Sequence, residues 1–168
     1  PAIKPAARFT KSGVIGLIAT PATARSTAVT DLIKKFAKGV TVIRIGCAGL
    51  EDAVENGGWQ SYKIKPLLDR YLAKIKSSGA DQLVLGCTHY PFLKRQIRGY
   101  LGKNVSLVDG NVAIARQTRH ILSAQNLRTI KRASRKTKYL TTGNPTEFQK
   151  TATLLLRQRV TVSKISLD

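Results

Sequence analysis

Short apolar runs alternate with amphipathic stretches along most of this chain. The apolar runs are only a few residues long and are bounded by turn residues, which is typical of buried strands. Between the runs, apolar residues recur every three or four positions, as on one face of a helix. This alternation predicts an α/β fold with a parallel sheet built of βαβ units. The predicted strands are residues 13–19, 40–45, 82–85, 105–108, 139–142 and 160–165.

Helices are predicted between these strands. Thr20, Thr23 and Ser26 indicate a polar turn into the first helix, and Pro91 is expected to begin the third. Residues 1–109 contain four strands with their helices, which is enough for a compact domain. Residues 110–168 contain two strands and two helices, which would form only a marginal core by themselves. The predicted helices are residues 31–37, 64–75, 91–101, 113–122 and 145–156.

Charge is the most unusual feature of the composition. The 168 residues include 29 Lys and Arg against 9 Asp and Glu, for a net charge of +20 at pH 7. Such an excess indicates either solvated helix faces or a polyanionic partner such as nucleic acid. The most basic segment, residues 128–138, has no aromatic residue before Tyr139 and no RNA-binding motif. A nonenzymatic polyanion- or nucleic-acid-binding fragment is therefore the less favoured alternative.

Apolar content and cysteine usage indicate the compartment. No apolar run approaches the roughly 20 residues that span a bilayer, and no signal-peptide core is visible. We therefore expect a cytoplasmic chain with no membrane partner. Its cysteines, Cys47 and Cys87, are expected to be free thiols, because two cysteines do not make a disulfide framework. They also lack metal-ligand spacing, so no metal site is predicted.

The predicted strand 82–85 ends at Gly86, and Cys87, Thr88 and His89 follow it directly. In open α/β sheets, ligand sites lie beyond the carboxyl ends of the strands. A thiol, a hydroxyl and an imidazole at that place are candidates for nucleophilic or acid–base chemistry. A buried structural cysteine is the alternative. A cysteine hydrolase is less favoured, because no third group that would orient His89 is evident.

Residues 85–91, Leu-Gly-Cys-Thr-His-Tyr-Pro, resemble the second-cysteine signature of the glutamate racemases, in the aspartate/glutamate racemase superfamily. The resemblance extends to about residue 148. It implies that residues 1–109 form a complete, Rossmann-like second racemase domain. Residues 110–168 would then be the C-terminal segment of the first, otherwise missing, domain, with apolar faces exposed. Further matches in the same order lie in residues 1–6, 13–17, 20–26, 107–109 and 141–145.

The resemblance also implies a reaction, the racemisation of L- and D-glutamate by two bases without a cofactor, which supplies D-glutamate for peptidoglycan, cell wall biogenesis and cell shape. Cys87 would be the base that acts on L-glutamate, assisted by His89 and by the helix that begins at Pro91. Thr88 and His89 would contact the substrate, and Glu55 would be an acidic residue near the active site. Two alternatives stay open: Glu55 as a solvated loop acid, and His89 as a helix cap.

Departures from the family pattern limit what this chain can do alone. The Asp-Ser-Gly opening and the Cys-Asn-Thr motif with the first catalytic cysteine are absent. Cys47 does not replace that cysteine and is expected to be a buried or half-buried structural thiol. Smaller departures are Val29 in place of an aromatic residue and Gly110 in place of serine. We expect the chain alone to be inactive, with glutamate and the missing N-terminal half as partners and a homo-oligomer as one open state.

Overall fold

Four parallel strands form the centre of the structure, a computed structural model that describes residues 2–58, 64–129 and 137–167. The sheet order is β2-β1-β3-β4, and every neighbouring pair is parallel. β1 and β3 are central and almost fully buried, which explains their continuous apolar sequences. The predicted α/β class with a four-stranded parallel sheet is confirmed. The strands are β1 (Val14–Ala19), β2 (Thr41–Gly46), β3 (Gln82–Leu85) and β4 (Ser106–Val108).

Helices cover both faces of this sheet. On one face Ile15, Leu17 and Val84 pack with Ile3 and Val29 of the covering helices. On the other face Ile18 and Leu83 belong to a larger buried cluster that includes helical leucines and isoleucines. The first face is covered by α1 (Ile3–Phe9) and α3 (Thr27–Phe36); the second is covered by α4 (Leu50–Glu55), α5 (Ile64–Ser77) and α6 (Lys94–Leu101).

Three short helices and one helix break were not predicted. α1 and α4 were not expected, and the turn after β1 contains a one-turn helix, α2 (Pro21–Arg25). The side chains of Thr20 and Ser26 accept hydrogen bonds from the first turns of α2 and α3, so the polar residues there are N-caps of two helices. The predicted helix 91–101 is wrong at its start, because Tyr90–Leu93 is a 3-10 helix and α6 begins at Lys94.

The C-terminal part of the chain is poorly covered. It contains a two-stranded parallel sheet of β5 and β6, and neither of its helices has a buried residue. Within it, Val112 is 62% exposed and Leu127 is 65% exposed. Residues 130–136, most of the predicted basic segment, lie outside the described residues. The elements are α7 (Asn111–Ala124), β5 (Tyr139–Thr141), α8 (Pro145–Leu156) and β6 (Val162–Lys164).

Among the described helices, none combines the length and the apolar character that a membrane crossing requires.

Candidate active site

The carboxyl end of β3 is held against β1 by a close backbone approach at Gly86. The Gly86 N–H donates a 2.8 Å hydrogen bond to the carbonyl of Ile18. A Cβ atom at Gly86 would lie 2.9 Å from that same carbonyl oxygen, which is closer than real Cβ contacts. Glycine is therefore required at this position, and it places Cys87 directly beyond the strand ends.

Cys87, His89 and Glu55 form a hydrogen-bonded chain. The Cys87 Sγ lies 3.6 Å from Nδ1 of His89, and Nε2 of His89 lies 2.8 Å from a carboxylate oxygen of Glu55. An ionised carboxylate only accepts hydrogen bonds, so Nε2 carries a proton and donates a hydrogen bond to Glu55. In the neutral imidazole this leaves Nδ1 as an acceptor that faces the thiol. The arrangement can therefore take a proton from Cys87 and leave a thiolate.

The contacts of Glu55 and His89 can be compared with the two open alternatives at these residues. Glu55 has its side chain 50% exposed, but it is bonded to His89 rather than solvated alone. His89 sits at the N-cap position of the 3-10 helix, yet its side chain makes no capping hydrogen bond. The expectation that an α-helix beginning at Pro91 adds partial positive charge near Cys87 is corrected, because a four-residue 3-10 helix comes first and α6 begins only at Lys94.

Buried tyrosines position the helix that carries Glu55. The hydroxyl of Tyr90, which follows His89, donates to the Cys47 carbonyl at 3.2 Å. The hydroxyl of Tyr71 on α5 donates to the Ala48 carbonyl at 2.8 Å. α4 starts at Leu50, after the N-cap Gly49, so the Tyr90 contact ties its start to the segment that follows β3. Burial raises the pKa of Tyr90, whose phenol therefore stays protonated.

Cys47 differs from Cys87 in exposure and chemistry. Its side chain is fully buried, as the sequence predicted, and Sγ lies 3.8 Å from the Ile45 carbonyl. Burial, with a smaller contribution from the nearby Glu51 carboxylate, raises the pKa of the Cys47 thiol to about 12. A thiol with that pKa is protonated at neutral pH and is a poor nucleophile or base.

Cys87 and Thr88 open into a cavity of about 290 Å³ at the carboxyl edge of the sheet. Its polar lining includes Thr23 from α2 and Asn111 from the start of α7. Thr23 was predicted only as part of a polar turn, and Asn111 was not predicted at all. No local sequence pattern identifies Asn111, because it reaches the cavity only through the path of the chain from β4 to α7. The remaining walls are mostly apolar residues of α1, β1, α3 and β3.

His89 and Glu55 lie on a different cavity, of about 510 Å³, which they share with β5 and α8. The His89 imidazole therefore lies between the two cavities, with the Cys87 thiol on one side and the C-terminal part of the chain on the other. Thr141 and Asn144, which fall in the matched segment 141–145, line this second cavity together with Glu147. Glu147 was not predicted.

Asp109, at the end of β4, is anchored by charge. Lys94 at the start of α6 lies 2.5 Å from its carboxylate, which also accepts from the N–H of Asn111 at 2.8 Å. The hydrogen bond from Lys94 holds the pKa of Asp109 below its usual value. The contact joins α6 to the beginning of α7 beside the first cavity.

A sequence model of the Asp/Glu/hydantoin racemase family matches residues 2–118, well over half of the chain. The chain belongs to the Asp/Glu/hydantoin racemase family. The match covers the four-stranded sheet, the Cys87–His89–Glu55 chain and the first residues of α7. The resemblance of residues 85–91 to a racemase signature is therefore confirmed at the level of this racemase family.

Individual racemases agree with the family assignment. The glutamate racemase of Herpetosiphon aurantiacus is 41% identical over 150 residues, which are 89% of this chain and 59% of that protein. A glutamate racemase from Bacillus anthracis has a TM-score of 0.84 at 27% identity, covering 98% of this chain and 63% of that one. Escherichia coli glutamate racemase, in complex with L-glutamate and the activator UDP-MurNAc-Ala, has a TM-score of 0.81 at 27% identity, covering 99% and 63%. This chain spans about three-fifths of these relatives' length.

Proposed function

We propose that this chain contributes one of the two acid–base thiols of a glutamate racemase that works without a cofactor. The observation that carries the proposal is the hydrogen-bonded chain from Cys87 through His89 to Glu55, at the carboxyl edge of a parallel sheet. A racemase needs a base on one face of the α-carbon and an acid on the other. Cys87 is a partly exposed thiol that faces a proton acceptor. Cys47 is buried, and its raised pKa keeps it protonated.

The proposed reaction begins with transfer of the Cys87 thiol proton to Nδ1 of His89. The thiolate then takes the α-proton of L-glutamate, and the electron pair of the broken C–H bond delocalises into the adjacent carboxylate. A second thiol delivers a proton to the opposite face, forms D-glutamate and is left as a thiolate. That thiolate regains a proton from water, while His89 releases to water the proton it took from Cys87. Thr88, Thr23 and Asn111 line the cavity, and we propose that their hydroxyl and amide groups bind the substrate carboxylates. The reverse reaction uses the same groups in the opposite order.

The second thiol is proposed to come from a segment outside these 168 residues. Residues 1–109 would be the complete second racemase domain, and residues 110–168 would belong to the first. The exposed apolar side chains of α7 and α8 support this division, because a further segment would cover them. The exposed residues include Val112, Ile114, Ile121, Leu122, Phe148 and Leu156. The chain alone would then lack an acid on one face of the α-carbon and would not racemise glutamate.

Glutamate is proposed as the substrate rather than aspartate. The relatives above are glutamate racemases, and the Escherichia coli structure holds L-glutamate. The proposed role of the product is supply of D-glutamate for peptidoglycan in the cytoplasm.

Complementation tests this proposal. This chain is mixed with the first-half segment of the Herpetosiphon aurantiacus relative, and D-glutamate formed from L-glutamate is measured by chiral chromatography. We expect no product from the chain alone and turnover from the mixture. Cys87→Ser should lower that turnover by about a thousandfold, the scale of a lost acid–base group. Cys47→Ala is the control for the thiol and should keep the activity.

A second pair of variants tests the hydrogen-bonded chain itself. Glu55→Gln should lower turnover, because an amide oxygen holds the His89 tautomer less firmly than a carboxylate does. Asp52→Asn removes an exposed carboxylate from the same helix without touching His89 and should have no effect. Turnover by the chain alone that disappears in Cys87→Ser would overturn the proposal of an outside second thiol.

A further inference from the structure

Two helices on one face of the sheet carry an unusual concentration of positive charge. α5 and α6 pack side by side, and Lys76 of α5 lies 5.1 Å from the ring centre of Tyr100 on α6. Their outward side chains are mainly cationic. We call this the α5–α6 surface; its exposed cations are Arg70, Lys74, Lys76, Arg95, Arg98 and Lys103.

Acidic residues do not neutralise this surface. Asp69, the one acid on α5, is bonded to Lys65 at 2.6 Å, and α6 contains no acid. Asp109 is bonded to Lys94. Within the described ranges, none of the six cations of the α5–α6 surface forms an ion pair. Their charge is therefore available to a ligand.

A concave site lies at the end of this surface. A cavity of about 510 Å³ is bounded by Arg98 and Lys103, with Ser106 at the start of edge strand β4. No carboxylate lines it. Two cations and a hydroxyl around an open concavity suit a phosphate group.

The position of this site separates it from the racemase chemistry. Ser106 is the first residue of β4, so the cavity lies at the amino end of the sheet. Cys87 lies beyond the carboxyl end of β3, which runs parallel to β4. A ligand at the cavity would therefore leave the Cys87 site free.

We propose that the α5–α6 surface binds the phosphate backbone of nucleic acid without reading its sequence. The inference rests on the placement of unpaired cations and on the net charge of +20, not on the proposed racemase activity. Backbone contacts by Lys and Arg release condensed counterions, so such binding weakens steeply with salt. Dissociation constants of about 10⁻⁴ to 10⁻⁶ M are usual for this mode.

Fluorescence anisotropy of a labelled 20-base-pair DNA duplex tests the proposal, with the 168-residue chain titrated between 50 and 200 mM NaCl. Arg98→Gln with Lys103→Gln should weaken binding roughly 60-fold at 0.1 M salt and reduce the salt slope by about two. Arg98→Lys with Lys103→Arg keeps the charge and should keep the slope. Circular dichroism of each variant checks the fold.

The matched control removes two cations from the opposite face. Lys34→Gln with Lys35→Gln lies in the last turn of α3, as Arg98 does in α6, and changes the net charge equally. It should leave the salt slope unchanged. Equal losses in the two double variants would show that binding follows net charge alone and would overturn the assigned surface. Absence of salt-dependent binding by the unmodified chain would overturn the proposal entirely.

Discussion

Removal of the Tyr90 hydroxyl tests how the site is assembled. That hydroxyl is buried and donates to the carbonyl of Cys47, a residue with no exposed surface. In Tyr90→Phe the carbonyl keeps its burial but loses its donor, which costs about 2 kcal/mol. Tyr71→Phe is the matched control, because it removes the same group from the neighbouring Ala48 carbonyl. Ala48 is exposed, so water replaces the lost donor and the cost falls to about 0.5 kcal/mol.

Urea unfolding at pH 7, followed by circular dichroism, measures both variants. With a slope of about 2 kcal/mol per molar urea, Tyr90→Phe should lower the midpoint by about 1 M. Tyr71→Phe should lower it by about a quarter of that. A Tyr71→Phe midpoint at or below that of Tyr90→Phe would refute the reasoning, because burial of the orphaned carbonyl would then not decide the cost.

Three further predictions concern the core, a backbone contact and the Lys94–Asp109 ion pair. The pKa of Cys47 is raised from 9.0 to about 12, so its contribution to stability is complete below pH 9 and is lost as pH rises toward 12. In Cys47→Ala the free energy of unfolding should therefore fall less between pH 9 and pH 10 than it does in the unmodified chain. Gly86→Ala should destabilise by about 1–3 kcal/mol through its clash with the adjacent strand, whereas Gly99→Ala, which meets open space in α6, should stabilise by about 0.5–1 kcal/mol; thermal melts compare the two. Lys94 lowers the pKa of Asp109, so Lys94→Gln should reduce the free energy of unfolding above pH 4. Urea titrations should show that this reduction shrinks as the pH falls through the lowered pKa. Equal losses at pH 3 and pH 6 would contradict that assignment.

The four-stranded sheet was predictable because each strand is an apolar run between turn residues. β1 and β3, buried on both faces, have the most continuous runs and were placed within one residue. α1, α2 and α4 were missed because they are short, and α1 and α2 also contain proline in their first turns. Packing stabilises such helices more than intrinsic propensity does. The helix break before Lys94 has the same origin, since Pro91 suits a first turn of either kind.

Part of the candidate site was predictable from the sequence, namely Cys87, Thr88, His89 and Glu55, whereas Asn111, Glu147 and the geometry were not. Cys87 and His89 are two positions apart, and their proximity follows from local structure. Glu55 is 34 residues from His89, so only the tertiary packing of α4 shows that they bond. The Cys87 thiol and the His89 imidazole line different cavities because of where α7 and α8 return to the sheet. No pattern within one segment of sequence contains that information.

The central claim is that Cys87 is the base for one enantiomer in a two-base site. Proton NMR in deuterium oxide tests it by following loss of the α-proton of glutamate in the complemented Cys87→Ser variant. Exchange from L-glutamate should be lost, while exchange from D-glutamate, which the second thiol begins, should decline less. L-glutamate exchange at the unmodified rate in Cys87→Ser would contradict the account.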